Sequence, residues 1–235
     1  MSVSEHISKQ FNAELEAVRS SVLQMGGLVE EQIKRAIEAL TTGNINLIEQ
    51  VIADDSRVND MEVSIDEICS QIIARRQPAA GDLRMILTII KTITDLERMG
   101  DEAAKIARMA KLIYDSRRKH MPRLVEIRHV ANIALEMLRK SLDAFARLDV
   151  KTAAQVVRQD ELVDEEFRSS IRQLITFMME DPRMISTSLE ILFVAKAIER
   201  IGDHAKNMSE YVVYLVKGKD VRHVTVEEIE REVQQ

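Results

Sequence analysis

The sequence predicts an all-α protein built from two repeated antiparallel three-helix bundles, six long helices in all. Three observations predict it. Breakers are rare, with 7 glycines and 3 prolines in 235 residues. That is too few for the turns of a β-sandwich or barrel, or for the glycine-bearing loops of a parallel α/β sheet. The core must also be aliphatic: hydrophobic residues make up 46% but aromatics only 3%, and Ala, Leu, Ile and Met are mostly good helix formers. Finally, the chain repeats itself.

The few breakers set the helix boundaries in order. The first helix spans about Ser4 to Thr42 and stops at Gly43-Asn44. Within it Leu28, Val29, Ile33, Ala36, Ile37 and Leu40 recur at spacings of three and four, the period of one helix face. The second runs from about Asn46 to Arg76 and stops at Gln77-Pro78; the third starts near Gly81-Asp82 and reaches about Arg118. A fourth opens at Pro122, whose fixed φ suits a first helical position, and ends near Leu148-Asp149. The fifth spans about Val150 to Glu180 and ends at Asp181-Pro182. The sixth spans about Ser186 to Lys217, with Gly218 as its C-terminal cap. In the tail, Thr225-x-x-Glu228 reads as a capping box for a short, loosely attached helix.

The repeat is direct. AIEALTTGNINLIEQVIADD, beginning at Ala36, lies over SLDAFARLDVKTAAQVVRQD, beginning at Ser141, a shift of 105. ERMGD (97–101) lies over ERIGD (199–203), a shift of 102. The difference falls in the intervening loop, where RQPAAGD is longer than EDPR. This divides the chain into units 1–120 and 121–218, with a tail 219–235 and a boundary near His120-Met121-Pro122.

Charge excludes some functions. Lys plus Arg is 33, Asp plus Glu is 39 and the net charge is -6, which argues against nucleic acid as the partner. Cys69, the single cysteine, sits among Ile65, Ile68, Ile72 and Ile73; it makes no internal disulfide and reads as a buried structural thiol. The N-terminus lacks the apolar stretch of a secretory signal, and no run of about 18 apolar residues exists. The expected compartment is the cytoplasm.

The chemistry of the chain lies in paired acids. Asp55/Asn59 and Glu97/Asp101 stand four apart in the first repeat, Asp160/Asp164 and Glu199/Asp203 in the second. Residues four apart share a helix face. In an antiparallel hairpin, residues lie level when their numbers average to the turn. Asp55 with Asp101, and Asn59 with Glu97, both average to Pro78; Asp160 with Asp203, and Asp164 with Glu199, both average to the Asp181-Pro182 step. Each repeat is therefore expected to gather four oxygen-bearing side chains. Carboxylates so close need protons, cationic side chains or a metal. Oxygen ligands suit Mg²⁺, Mn²⁺, Ca²⁺ or iron, and not a thiolate-type zinc site. Because Asn59 replaces an acid and Lys105 follows Asp101 by one turn, the second site is expected to bind metal more tightly.

Other residues read more plainly. Gly100 and Gly202, mid-helix at the same repeat position, suggest close helix approach or room beside ligands. Arg98 and Arg200 read as surface salt bridges, His204 as a surface residue, and Met178 and Met179 as core or interface filling. Glu126-x-x-His129 has the spacing of a di-iron helix motif, but it lies far from the acids and has no duplicate. No glycine-rich phosphate loop, nucleophile elbow or Cys/His pair is present.

FNAELE (11–16), ARRQPAAGDLR (74–84), DLERMGDEAAKIAR (95–108), LDAFARLD (142–149), MMEDPR (178–183), IERIGDHAKN (198–207) and VKGKDVRHV (216–224) together resemble the PhoU family, over about residues 5–224. The resemblance implies two three-helix bundles with pseudo-twofold symmetry. It implies metal clusters at Asp55, Asn59, Glu97, Asp101, Asp160, Asp164, Glu199 and Asp203, with Mg, Mn, Fe or Zn as the metal. It also implies a non-enzymatic, cytoplasmic and homodimeric negative regulator of phosphate uptake and the phosphate-starvation regulon. Such a protein couples the ATPase subunit of a phosphate ABC transporter to a sensor histidine kinase, reaching the membrane only through partners. Two readings compete with this one: a metal-storage or metal-dependent hydrolytic protein, and a metal-free structural bundle.

Overall fold

The fold was analysed in a computed structural model, which describes residues 3–115 and 124–234, with side chains from Gln10 onward. The expected boundary near His120 and the helix start at Pro122 lie outside the described residues. Seven α-helices are described: α1 (Val3–Thr42), α2 (Ile45–Arg76), α3 (Ala80–Asp115), α4 (Val125–Arg147), α5 (Val150–Glu180), α6 (Ile185–Lys217) and α7 (Val226–Gln234). A 3₁₀ turn, Pro182–Met184, precedes α6. At ~1.5 Å rise per residue, the 40 residues of α1 span about 60 Å.

The helices end where local chemistry stops them. Gly43 and Gly218 take φ of 67° and 74°, left-handed conformations open to glycine at little cost. Asn44 caps α2 by accepting from the Leu47 N–H at 3.3 Å. Asp149 caps α5 by accepting from the N–H groups of Lys151 and Thr152 at 2.9 and 3.2 Å. The capping box at α7 is reciprocal: Thr225 N–H donates to Glu228 at 3.2 Å, and Glu228 N–H to the Thr225 hydroxyl at 3.4 Å.

This last helix is not loose. Ile229 and Val233, one turn apart, are buried, and Arg158 of α5 donates to both carboxylate oxygens of Glu230 at 2.6 and 2.9 Å. Its amphipathic face docks it on α5, which the capping box alone does not reveal.

Each repeat forms a three-helix bundle, α1–α3 and α4–α6, and one continuous apolar core joins them. Phe145, Met25, Met99 and Met137 are among its largest fully buried side chains. Helix α1 bridges both units: Arg19 donates to the Ala146 carbonyl at 3.0 Å, and Arg139 to Glu30 at 2.7 Å.

The most extensive packing is between α3 and α6, which run antiparallel along the seam between repeats. Polar pins hold it. Asp95 on α3 is buried, and its Oδ1 lies 2.7 Å from Nδ1 of His204 on α6 and 3.4 Å from Nδ2 of Asn207. A carboxylate can only accept, so His204 carries its proton on Nδ1. Burial first, then Asp95, pushes the Tyr211 phenol well above its usual range. Arg200 of α6 meets the buried carboxylate of Glu102 on α3 at 2.5 Å.

One surface expectation is thereby corrected: His204 is 6% exposed. Arg200 makes a salt bridge from a side chain 44% exposed, as expected, but its partner Glu102 belongs to the other repeat. Both lie on the side of α6 that the second bundle alone would leave to solvent.

Replacing Asp95 with Ala should cost about 2–4 kcal/mol, because it strands buried donors at the seam. Asp95→Asn, which keeps an acceptor, should cost less. Urea unfolding of both variants measures the difference.

Candidate metal centre

The first cluster is built from α2 and α3. Asp55 is buried, Glu97 half-buried and Asp101 exposed, and Asn59 is exposed. Hairpin geometry sets the acids against one another. The Glu97 carboxyl is pushed up from its usual range first by burial, then by Asp101, Glu62 and Asp55, with Arg98 opposing. Glu62 is thus a further acid of this cluster. It lies three residues beyond Asn59 and accepts from the Thr94 hydroxyl at 3.4 Å.

The second cluster is built the same way from α5 and α6. Asp160 and Glu199 are buried; Asp164 and Asp203 are partly so. Burial raises the Asp203 carboxyl to about 6, reinforced by the charges of Glu199, Asp160 and Asp164, against the lowering by Lys196. The charges of Glu199, Asp160 and Asp164 all act on Asp203 here, and those of Asp101 and Asp55 act on Glu97 in the first cluster.

The two clusters differ in their cations. In the second, Lys196 contacts both oxygens of Glu199 at 2.6 and 2.5 Å, Lys206 donates to Asp160 at 2.8 Å, and Arg168 lies 3.6 Å from Asp164. In the first, Asp55 accepts from the amide of Gln32 on α1 at 3.0 Å, and the nearest guanidinium nitrogen, on Arg108, is 3.9 Å away. Lys105 does not reach Asp101; it turns to Glu102 at 3.2 Å, a partner on the neighbouring face.

The repeated glycines differ too. A Cβ at Gly100 would stand 3.1 Å from Gln32 Oε1, 3.3 Å from Val58 and 3.5 Å from Asp55 Oδ1, whereas at Gly202 its nearest neighbours would be Val163 atoms, from 3.3 Å. Gly100 therefore leaves room beside two oxygens, and Gly202 serves close packing.

The donor chemistry of both clusters suits a hard cation: oxygen atoms in surplus, with Glu97 and Asp203 raised first by burial and then by neighbouring carboxylates. The side chains as they stand are spread, and among the described residues no three His, Cys, Asp or Glu close on one point. Holding an ion therefore requires rotamer changes at Glu97 and Asp101, or release of Lys196 and Lys206.

Residues set aside on sequence stay apart from this chemistry. Cys69 is fully buried and its thiol pushed up to about 11 by burial and Asp66. Glu126 takes a hydrogen bond from Gln173 at 3.5 Å, while His129 is exposed. Met179 is 80% exposed and fills no core.

One titration follows from the second cluster. Glu210, one turn beyond Lys206, is raised from 4.5 to about 7, chiefly by burial. Because its folded pKa exceeds its unfolded one, its contribution is most favourable at low pH and is lost as pH rises from about 4.5 through about 7. Glu210→Gln should therefore stabilise the protein at pH 8, by about 1–2 kcal/mol after solvent screening. The difference should vanish near pH 4.5; thermal unfolding across that range reads it.

Comparison with known proteins follows the same two units. The family model of the PhoU domain matches twice, over residues 22–110 and 127–212. The chain is 50% identical over 234 residues to the phosphate-specific transport system accessory protein PhoU homolog of Pseudomonas putida, covering 99% of this chain and 91% of that one. It is 47% identical over 231 residues to the phosphate-specific transport system accessory protein PhoU of Escherichia coli K12, covering 98% and 95%. The crystal structure of PhoU from Pseudomonas aeruginosa superposes with a TM-score of 0.86 at 50% identity, covering 89% of this chain and all of that one. The phosphate transport system regulatory protein PhoU from Streptococcus pneumoniae gives 0.83 at 28% identity, covering 90% and 99%. Two matched domains, near-full-length identity and a shared fold agree: this chain belongs to the PhoU family.

Proposed function

We propose that this protein is a negative regulator of phosphate uptake and of the phosphate-starvation regulon. It acts as a cation-binding adaptor between the ATPase subunit of a phosphate ABC transporter and a sensor histidine kinase. It works in the cytoplasm as a homodimer, reaches the membrane through its partners and does not engage nucleic acid. The observation that carries this reading is near-complete coverage of relatives named as accessory proteins of the phosphate-specific transport system. No helix of the described residues is long and apolar enough to cross a membrane, consistent with attachment through partners.

The surface supports an adaptor. On α6, Ile185, Leu189 and Phe193 recur every fourth residue and are all exposed, and Ile175 and Met179 of α5 are exposed near the same turn. An apolar stripe of this kind marks a docking face. The Cys69 thiol is buried and protonated, and His204 is engaged by Asp95, so neither is placed to act as a nucleophile.

Deleting the gene should raise expression of phosphate-starvation genes in phosphate-rich medium, and the wild-type chain should restore repression. A phosphate-starvation reporter that stays unchanged on deletion contradicts the reading.

A further inference from the structure

We propose that the cleft between α6 and the segment 218–225 is a binding site for a phosphoryl-bearing anion. This goes beyond the regulatory reading above and does not depend on it.

The cleft has a volume of about 530 Å³, the size of a small-molecule site. One wall is a single face of α6. Arg200, Asp203, His204, Asn207 and Glu210 follow one another there at spacings of three and four, with Lys206 beside them. At ~1.5 Å rise per residue, Arg200 to Glu210 is about 15 Å of helix. The other wall is Arg222, His223 and Val224. Val224 is the one apolar residue among those described, so the cleft suits a polar occupant. The second wall is held in place. Val221 is buried, and Lys219 donates to Glu232 of the docked helix α7 at 2.6 Å. His223 takes a φ of 67°, a left-handed backbone that a residue with a side chain adopts at a cost.

Arg200 and Lys206 bring positive charge from one wall, and Arg222 from the other. Each is already anchored: Arg200 on Glu102 at 2.5 Å, Lys206 on Asp160 at 2.8 Å, and Arg222 on Asp220 through Nη2 at 2.6 Å. A guanidinium or an ammonium carries more N–H donors than these pairs use, so the cations are positioned in advance with donors to spare. Asp203 and Glu210 oppose an anion. Burial pushes Glu210 up to about 7, so it repels less than an ordinary carboxylate. A single carboxylate ligand needs one guanidinium. A phosphoryl group carries about two negative charges and three acceptor oxygens, and so can engage cations from both walls.

His204 spends Nδ1 on Asp95, while its Nε2 is buried and has no partner. With the proton on Nδ1, Nε2 is an acceptor, as are the two carboxyl groups, and all three match ligand hydroxyls. A nucleotide would use phosphoryl and hydroxyl contacts together; free phosphate would use the first alone. Duplication did not supply this cleft. The residues 102 positions before His204, Lys206 and Glu210 are Glu102, Ala104 and Arg108.

The test is equilibrium dialysis of the full chain against radiolabelled ATP and, separately, radiolabelled inorganic phosphate. Chelator is present throughout, so that no metal bridges the probe to Asp203. Binding of either probe is expected. Tighter binding of ATP assigns the site to a nucleotide, and equal or tighter binding of phosphate assigns it to the free anion. Arg222→Gln should weaken the bound probe at least about ten-fold. Arg183→Gln is the matched control, because Arg183 forks onto Asp181 as Arg222 does onto Asp220 but lies outside the cleft; it should bind as wild type does. Thermal melts establish that both variants are folded. No binding of either probe at millimolar concentration, unchanged affinity in Arg222→Gln, or an equal loss in Arg183→Gln overturns the proposal. The reporter assay on deletion reads the regulatory role independently.

Discussion

The antiparallel packing of α3 on α6 is the contact on which the rest of the molecule depends. It places the two ERxGD segments back to back, so that the carboxylates of one repeat face α2 and those of the other face α5. Its polar pins, Asp95 with His204 and Glu102 with Arg200, cross between repeats, and each includes a buried acid. Buried acids fix register more than they add stability, since any slip would leave one unpaired. A helix slip along the seam would thus break the pairs and move both clusters at once.

The second physical theme is how repulsion between like charges is relieved. Four carboxylates gathered by a hairpin repel strongly in a half-buried setting. The second repeat answers with lysines on its own helix α6. The first answers with the amide of Gln32 from a third helix, leaving more charge unneutralised. Duplication gave two similar frames, and single substitutions gave them different electrostatics.

Much of the fold was legible in the sequence because glycine and proline are so scarce that each marks a boundary. Gly43, Pro78, Asp181-Pro182 and Gly218 all fall at helix ends. The facing of Asp55 with Glu97 and Asp101, and of Asp160 with Glu199 and Asp203, also followed from hairpin arithmetic, since a short turn fixes register. The same arithmetic contains Glu62, which averages with Thr94 to Pro78 and is hydrogen-bonded to it. Gln32 was equally legible in register, since with Asp55 it averages to the Gly43-Asn44 turn, but a neutral amide carries no charge pattern to mark it. Lys105 misled because proximity in sequence does not choose between Asp101 and Glu102. His204 misled because the seam between repeats leaves no periodic mark on α6, which is apolar on several sides.

The central claim is that the α3–α6 seam, pinned by Asp95 with His204 and Glu102 with Arg200, sets the register of both repeats. A double-mutant cycle on Asp95→Ala and His204→Ala, read by urea unfolding, tests it most directly. The account predicts a coupling energy of at least about 1 kcal/mol between the two positions. Full additivity of the two substitutions would contradict it.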